Sequence, residues 1–111
     1  MIRRGLGDDR GSVVAEFAVA LPAVALVVLL GAGALSTCAR QVRLQDAAAD
    51  AARLVARGET DARAQSAVTA AVPGAAVVIG ARGDVVCVTA SATSTIPIAL
   101  SATSCALAGG L

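Results

Sequence analysis

The sequence predicts an α+β fold: a long N-terminal membrane-spanning helix that continues as an amphipathic Ala-rich helix, then a short helix and a small antiparallel three-stranded sheet. Three observations predict it. Residues 17–39 carry no charge, residues 40–58 alternate apolar and charged residues at helical spacing, and the remainder holds three runs rich in Val, Ile, Thr and Ser. We therefore divide the chain into a polar segment (1–11), a helix (12–57) and a small α/β region (58–111).

Composition narrows the class of protein. Hydrophobic residues make up 57% of the 111 residues, yet Phe17 is the only aromatic one. A core of Ala and Val buries little area per residue, so a membrane helix, a partner or a disulfide has to add stability. Because His is absent, the commonest general base and metal ligand are missing, and we expect no catalytic residues, metal or cofactor. A net charge of +1 without a basic patch argues against a nucleic-acid partner.

The uncharged run is long enough to cross a bilayer. Residues 17–39 exceed the roughly 20 residues that a spanning helix needs, and such a helix tolerates Pro22 within it. Arg3 and Arg4 in the preceding segment favour a cytoplasmic N-terminus, although Arg40 and Arg43 follow the run. We expect a single-pass protein of the inner (cytoplasmic) membrane whose C-terminal region is extracytoplasmic.

Helical periodicity continues beyond the predicted span. One face carries an apolar, mainly alanine stripe and the opposite face carries the charges: Leu44, Ala48, Ala51, Ala52 and Val55 against Arg43, Asp46, Asp50, Arg53 and Arg57. Alanine suits the close approach of another helix better than burial under a bulky sheet. Gly58 predicts the end of this helix, which we expect to run from about Val13 to Arg57.

The remaining residues predict a second helix and three strands. Thr60 is suited to be the N-cap of the second helix, and Pro73-Gly74 to end that helix. The runs AAVVIG (75–80), DVVCVTASAT (84–93) and IPIALSATSCA (96–106) predict short strands, with a turn at GARGD (80–84). Arg82-Gly83-Asp84 has the spelling of an adhesion motif, which we interpret as a chance occurrence in a Gly-rich turn.

Three cysteines lack the spacing of a zinc site. An antiparallel hairpin that pairs Cys87 with Cys105 also places Thr89 opposite Thr103, with its loop centred on Ile96. This register predicts a Cys87–Cys105 disulfide, which an exported location permits. Cys38 ends a sequence, LSTC, that resembles a lipoprotein box, in which the cysteine is lipidated. We favour the interpretation that Cys38 is only a small apolar residue near a helix end.

Glu16 needs an explanation, because a charged residue at the centre of a membrane helix costs roughly 2.5–3.5 kcal/mol. It lies in Gly11-Ser12-Val13-Val14-Ala15-Glu16-Phe17, before an uncharged run with Pro22. This stretch closely resembles the type IV pilin signature. The short leader and the Glu-Phe pair are similar to those of TadE-like minor pilins of the tight-adherence (Tad, or Flp) pilus. The sequence CARQVRLQDAAADAARLVARGE, directly after the uncharged run, resembles the Ala-rich helix that those proteins carry. The resemblance covers residues 10–58.

The resemblance implies processing and assembly. Prepilin peptidase would cut between Gly11 and Ser12, so that residues 1–11 are a cytoplasmic leader and Glu16 is the fifth mature residue. Glu16, within a recognition motif that includes Phe17, would meet the terminal amine of a neighbouring subunit. The implied partners are this peptidase, other pilin subunits, the Tad secretion ATPase, membrane platform proteins and membrane lipid, with a cell-surface pilus as a second location. Such pairing fits the need of a buried carboxylate for an opposite charge.

Other interpretations remain open. Ala32-Gly33-Ala34 satisfies the cleavage pattern of a secretory signal. A single-pass or secreted small protein of an export system, without a pilus role, would not be cut at Gly11, and its Glu16 would reach the lipid headgroups. Within the pilin interpretation, the chain either enters the filament or only primes assembly.

Overall fold

The computed structural model describes residues 2–94 and 97–109, with side chains from Arg10 onward. The predicted α+β class is confirmed. Within the described residues the elements are α1 (Ile2–Ala56), α2 (Asp61–Ala71), β1 (Ala76–Arg82), β2 (Val85–Thr93) and β3 (Ala99–Leu107). The chain forms two compact units, Met1–Ala34 and Leu35–Leu111, so the last part of α1 belongs with α2 and the sheet.

Helix α1 is longer than predicted at its N-terminal end. It begins at Ile2, whereas the expected start was near Val13. No proline interrupts residues 2–12, and helix propagation adds a hydrogen bond for each residue fixed, so the polar segment extends the helix of the apolar run. Pro22 lies inside the helix, where it lacks the N–H that would donate to the Ala18 carbonyl.

Gly58 ends α1, as predicted. The Gly58 N–H donates to the Val55 carbonyl at 2.9 Å, and the Glu59 N–H donates to the Leu54 carbonyl at 3.0 Å. These two bonds form a Schellman motif, which requires a left-handed residue after the helix. Gly58 has a φ of +92°, a conformation that glycine adopts without a steric cost.

Helix α2 has the predicted cap. The Thr60 side-chain oxygen accepts a hydrogen bond from the Arg63 N–H at 3.2 Å, which satisfies one donor of the first turn. The helix ends at Ala71, and Val72 is its C-cap. Pro73-Gly74 follows immediately, in agreement with the predicted stop.

The sheet is antiparallel, in the order β1-β2-β3. The predicted turn at residues 80–84 is too long, because Gly80, Ala81 and Arg82 belong to β1 and pair with β2. Only Gly83 and Asp84 form the turn. Gly83 has a φ of +58° and Asp84 a negative φ, which is the type II′ hairpin turn that reverses a chain with two residues.

Strand β3 begins later than predicted. The expected strand started at Ile96, which lies outside the described residues, whereas β3 starts at Ala99. Pro97 precedes it and has no N–H for a sheet ladder, so the strand begins after it. The Ser94 N–H donates to the Ile98 carbonyl at 3.2 Å, which brings the loop back to the sheet.

The predicted alanine stripe forms part of the core of the C-terminal unit. Leu44, Ala48, Ala51 and Ala52 are fully buried, Val55 is half-buried, and the opposite charged face is exposed. Its alanines predicted packing against another helix, but the stripe packs against both α2 and the sheet. One buried cluster joins it to residues of α2 and of the sheet: Ala64, Val68, Val72, Val88, Ala90, Leu100 and Ala102. Apart from Leu100, the sheet residues of this cluster are small or β-branched, which leaves room for the helix.

Candidate processing and assembly site

The residues Gly11 to Phe17, which carry the predicted cleavage and assembly motif, lie on one exposed stretch of α1. Gly11, Ser12, Glu16 and Phe17 are all helical, and all are exposed. Ser12 and Glu16 are four residues apart, so they share one face of the helix, one turn apart. Phe17 is 64% exposed although it is the largest apolar residue of the motif.

Gly11 has no structural requirement within the described chain. A Cβ added at this position would meet no atom within 4 Å, and Gly11 is not among the glycines with positive φ. Glycine inside a helix is less favourable than alanine by about 1 kcal/mol. Gly31 shares these properties, but it lies in the uncharged run, and glycine is common in membrane helices. The fold of the described residues therefore gives no reason for a glycine at position 11.

Glu16 is an exposed acidic residue that is followed by apolar residues along α1. Among the described side chains, ion pairs join Arg53 to Asp50 and Arg63 to Glu59, and none includes Glu16. On its own face Glu16 adjoins a shallow, open depression lined by small and apolar residues, namely Ala15, Val19, Ala20 and Ala23. A carboxylate beside such a depression can be approached closely by a cationic group on another helix.

The helix around this motif exposes an unusual amount of apolar surface. Most of the exposed large hydrophobic residues of the described chain lie between Val13 and Leu35 of α1. By length and composition α1 can cross a membrane, a property that a signal sequence shares. An apolar surface of this extent is compatible with a single-pass membrane anchor.

The predicted disulfide is present on the sheet. Cys87 and Cys105 lie directly opposite each other on β2 and β3, with a Cα–Cα distance of 4.0 Å, and their sulfurs are bonded. The predicted register also holds at Thr89 and Thr103, whose hydroxyl oxygens are 3.0 Å apart in a hydrogen bond. Cys38 is free and exposed.

We expect Cys87→Ser to destabilise the C-terminal unit by about 3 kcal/mol, because the bridge restricts the unfolded chain over a separation of 18 residues. The measurement is thermal unfolding of the full chain in detergent, with and without reductant. Cys38→Ser is the control, since its thiol is unpaired, and it should unfold like wild type. Equal stability of Cys87→Ser and Cys38→Ser would show that the bridge contributes nothing.

Two polar side chains make contacts that were not predicted from the sequence. The Arg40 Nη2 donates to the Pro73 carbonyl at 3.3 Å, just after α2, and the Gln41 Nε2 donates to the Ser101 carbonyl of β3 at 3.0 Å. The sequence feature that could have pointed to these contacts is the position of both residues directly after the uncharged run. They link α1 to the residues that follow α2 and to the sheet within the C-terminal unit.

Arg82, Gly83 and Asp84 are exposed at the hairpin turn between β1 and β2. No group of His, Cys, Asp or Glu in the described part of the chain could hold a metal ion.

Comparison of the chain with protein-family models, curated proteins and solved structures finds no match. A function therefore has to be inferred from the chain's own residues and geometry.

Proposed function

We propose that the protein is a TadE-like minor pilin of a Tad-type (type IVc) pilus, cut by prepilin peptidase after Gly11 and assembled through its N-terminal helix. One observation supports this most strongly. Glycine at position 11 is less favourable in a helix than alanine, Glu16 would be costly if this part of α1 lies in a membrane, and no contact in the described chain explains either residue. A peptidase that needs a small residue and a neighbouring subunit that offers a positive charge would account for both.

Cleavage would create a positive charge that can pair with the Glu16 carboxylate. Hydrolysis of the Gly11–Ser12 peptide bond leaves a carboxylate on Gly11 and an amine on Ser12, which is protonated near neutral pH. In a filament, the Ser12 amine of one subunit would pair with Glu16 of the next. Because two opposite charges in apolar surroundings hold each other strongly, this contact would fix the axial register of the subunits.

The proposed location is a single-pass protein of the inner membrane. The apolar part of α1 would lie in the inner membrane with its N-terminus in the cytoplasm, and residues 58–111 would be extracytoplasmic. The Cys87–Cys105 bridge supports this, because disulfides persist in oxidising compartments. The partners would be prepilin peptidase, other pilin subunits, the secretion ATPase and the membrane platform.

A second candidate is a secreted small protein without a pilus role. One observation favours it: the C-terminal compact unit begins at Leu35. Leu35 is also the first residue after Ala32-Gly33-Ala34, so a signal peptidase cut there would release this unit alone. The two candidates therefore differ in where the mature chain begins.

Co-expression with a Tad prepilin peptidase tests the proposal. In a host without such an enzyme, we expect the full chain to stay intact, and the active peptidase to convert it to a chain that begins at Ser12. A catalytically inactive peptidase is the control. Intact-protein mass spectrometry reads out the result, and an intact chain in the presence of active enzyme would contradict the proposal.

A further inference from the structure

Strand β3 and the last part of α1 run in the same direction within the C-terminal unit. Near the start of β3, the Gln41 Nε2 donates to the Ser101 carbonyl at 3.0 Å. Beyond the end of β3, the Gly109 N–H donates to the Ala56 carbonyl at 2.9 Å. Between these contacts the helix rises about 22 Å and the extended chain about 26 Å, so the two elements advance together along the unit. We call the end near Gln41 the proximal end and the end near Ala56 the distal end.

The connections between elements divide between these two ends. The Arg40 Nη2 donates to the Pro73 carbonyl at 3.3 Å, so the α2–β1 connection lies at the proximal end. The β2–β3 connection lies there too, because it leads into the first residues of β3. The Ala108 N–H donates to the Asp84 carbonyl at 2.7 Å, which places the β1–β2 turn at the distal end. The α1–α2 connection directly follows Ala56 and is also distal.

The two ends differ in charge. The distal connections and the residues beside them carry exposed charged side chains: Arg57, Glu59, Asp61, Arg82 and Asp84. The proximal connections, residues 72–75 and 94–98, carry no charge. Pro73 and Pro97 on these connections are exposed, and Ile98 is 48% exposed. The proximal connections therefore lack the charges that favour contact with water at the distal end.

The proximal end lies level with the end of the uncharged run of α1. Residues 35–39 close that run and belong to the C-terminal unit. Ile98 precedes Ser101 by up to about 10 Å of extended chain, on the side away from the distal end. That distance equals the rise of about six helical residues, which leads from Gln41 back to Leu35. Leu35 is 73% exposed, so exposed apolar surface of α1 lies at the same level as Ile98.

We propose that the proximal end of the C-terminal unit lies in the headgroup region of the membrane that α1 crosses, with Ile98 inserted among the lipids. A bilayer is the occupant because the uncharged run that would enter it ends at this level. Apolar side chains favour this region in proportion to the area that they bury. Arg40 and Arg43 directly follow the run, where basic side chains can reach lipid phosphates. This inference rests on the proposed membrane anchor and concerns the subunit before it enters a filament.

Fluorescence quenching in bilayer discs of phosphatidylcholine and phosphatidylglycerol tests this depth in the full chain. With Cys38→Ser as background, one added cysteine carries a fluorophore at the proximal end (Pro97→Cys), at the distal end (Asp84→Cys) or within the uncharged run (Val27→Cys). A lipid spin-labelled near its headgroup should quench the Pro97 label at least fivefold more than the Asp84 label, and iodide in the water should quench it at least fivefold less. A lipid spin-labelled deep in its acyl chain should quench the Val27 label, which reports the anchor itself. Peptide mapping checks that the native disulfide is retained.

Two aspartate variants make the test specific to Ile98. Ile98→Asp should reduce the lipid quenching of the Pro97 label at least threefold, because a carboxylate is excluded from apolar surroundings. Val78→Asp is the control, since Val78 is also apolar and 68% exposed but lies on the sheet further from the proximal end, and it should leave the quenching unchanged. Equal lipid quenching of the Pro97 and Asp84 labels, or no effect of Ile98→Asp, would overturn the proposal, while a quenched Val27 label would leave the membrane anchor standing. An unquenched Val27 label would overturn both.

Discussion

Replacing Glu16 with alanine is expected to abolish entry of the protein into surface filaments, while membrane insertion and leader removal continue. Insertion should not suffer, because removing a charge makes an apolar helix easier to embed. Assembly should fail because the amine at Ser12 of the neighbouring subunit would lose its partner in a low-dielectric environment. Removing one member of a buried ion pair costs about 3–5 kcal/mol, more than a hundredfold in an equilibrium constant.

Two further variants make this expectation specific to the charge. Glu16→Gln keeps the size and hydrogen-bonding capacity of the side chain, and we expect it to fail nearly as completely as Glu16→Ala. Asp46→Ala removes a carboxylate from the exposed polar face of α1, and should assemble like wild type. Cells carrying each variant are sheared, and the mature protein is quantified in filament and membrane fractions. Wild-type amounts of Glu16→Ala in filaments would mean that Glu16 only reaches the lipid headgroups.

Gly11→Leu is expected to reduce cleavage by prepilin peptidase at least a hundredfold. The substitution has room in the protein, because a Cβ at Gly11 meets no atom within 4 Å. Leucine also favours a helix over glycine by about 1 kcal/mol, so the folded chain should not be weakened. A loss of cleavage therefore has to come from the peptidase, which must approach the backbone at this position.

Gly31→Leu is the matched control for this variant. Gly31 is also helical and exposed, with no atom within 4 Å of an added Cβ, but it lies far along the chain from the expected cut. It should be cleaved at the wild-type rate in the co-expression experiment. If Gly11→Leu is cleaved as fast as Gly31→Leu, the glycine has no part in recognition.

Much of the C-terminal unit could be predicted from the sequence, because its constraints are local or follow from the alternation of side chains along a strand. A glycine that adopts positive φ ends α1 at Gly58, and Thr60 caps the next helix through its own hydroxyl. The alternation of side chains in an antiparallel pair fixed the register of Cys87 with Cys105 once both strands were assumed. These predictions needed no knowledge of tertiary packing.

The errors arose where neighbouring elements decide the outcome. The start of α1 at Ile2 depends on propagation from the apolar run, which a polar, Gly-containing segment does not reveal by itself. The alanine stripe was expected to meet a helix, but the sheet that shares its core became visible only with the fold. Gln41 was missed because its partner, the Ser101 carbonyl, is sixty positions away in the sequence.

The candidate site differs from both, because its residues were found by their pattern in the sequence and no contact within the described chain explains them. The structure adds that Gly11, Ser12, Glu16 and Phe17 are exposed on one helix, and that no contact in the described chain requires Gly11 or Glu16. We propose that their partners are other proteins, and the packing of one chain carries no information on such partners.

The N-terminal residue of the chain isolated from its native membranes tests the central claim most directly. N-terminal sequencing, supported by the intact mass, should find a chain that begins at Ser12, because we propose that prepilin peptidase cuts after Gly11. A chain beginning at Leu35 would instead show cleavage of a secretory signal after Ala34. A chain that retains the leader would identify an uncleaved single-pass protein, and either result would contradict the pilin account.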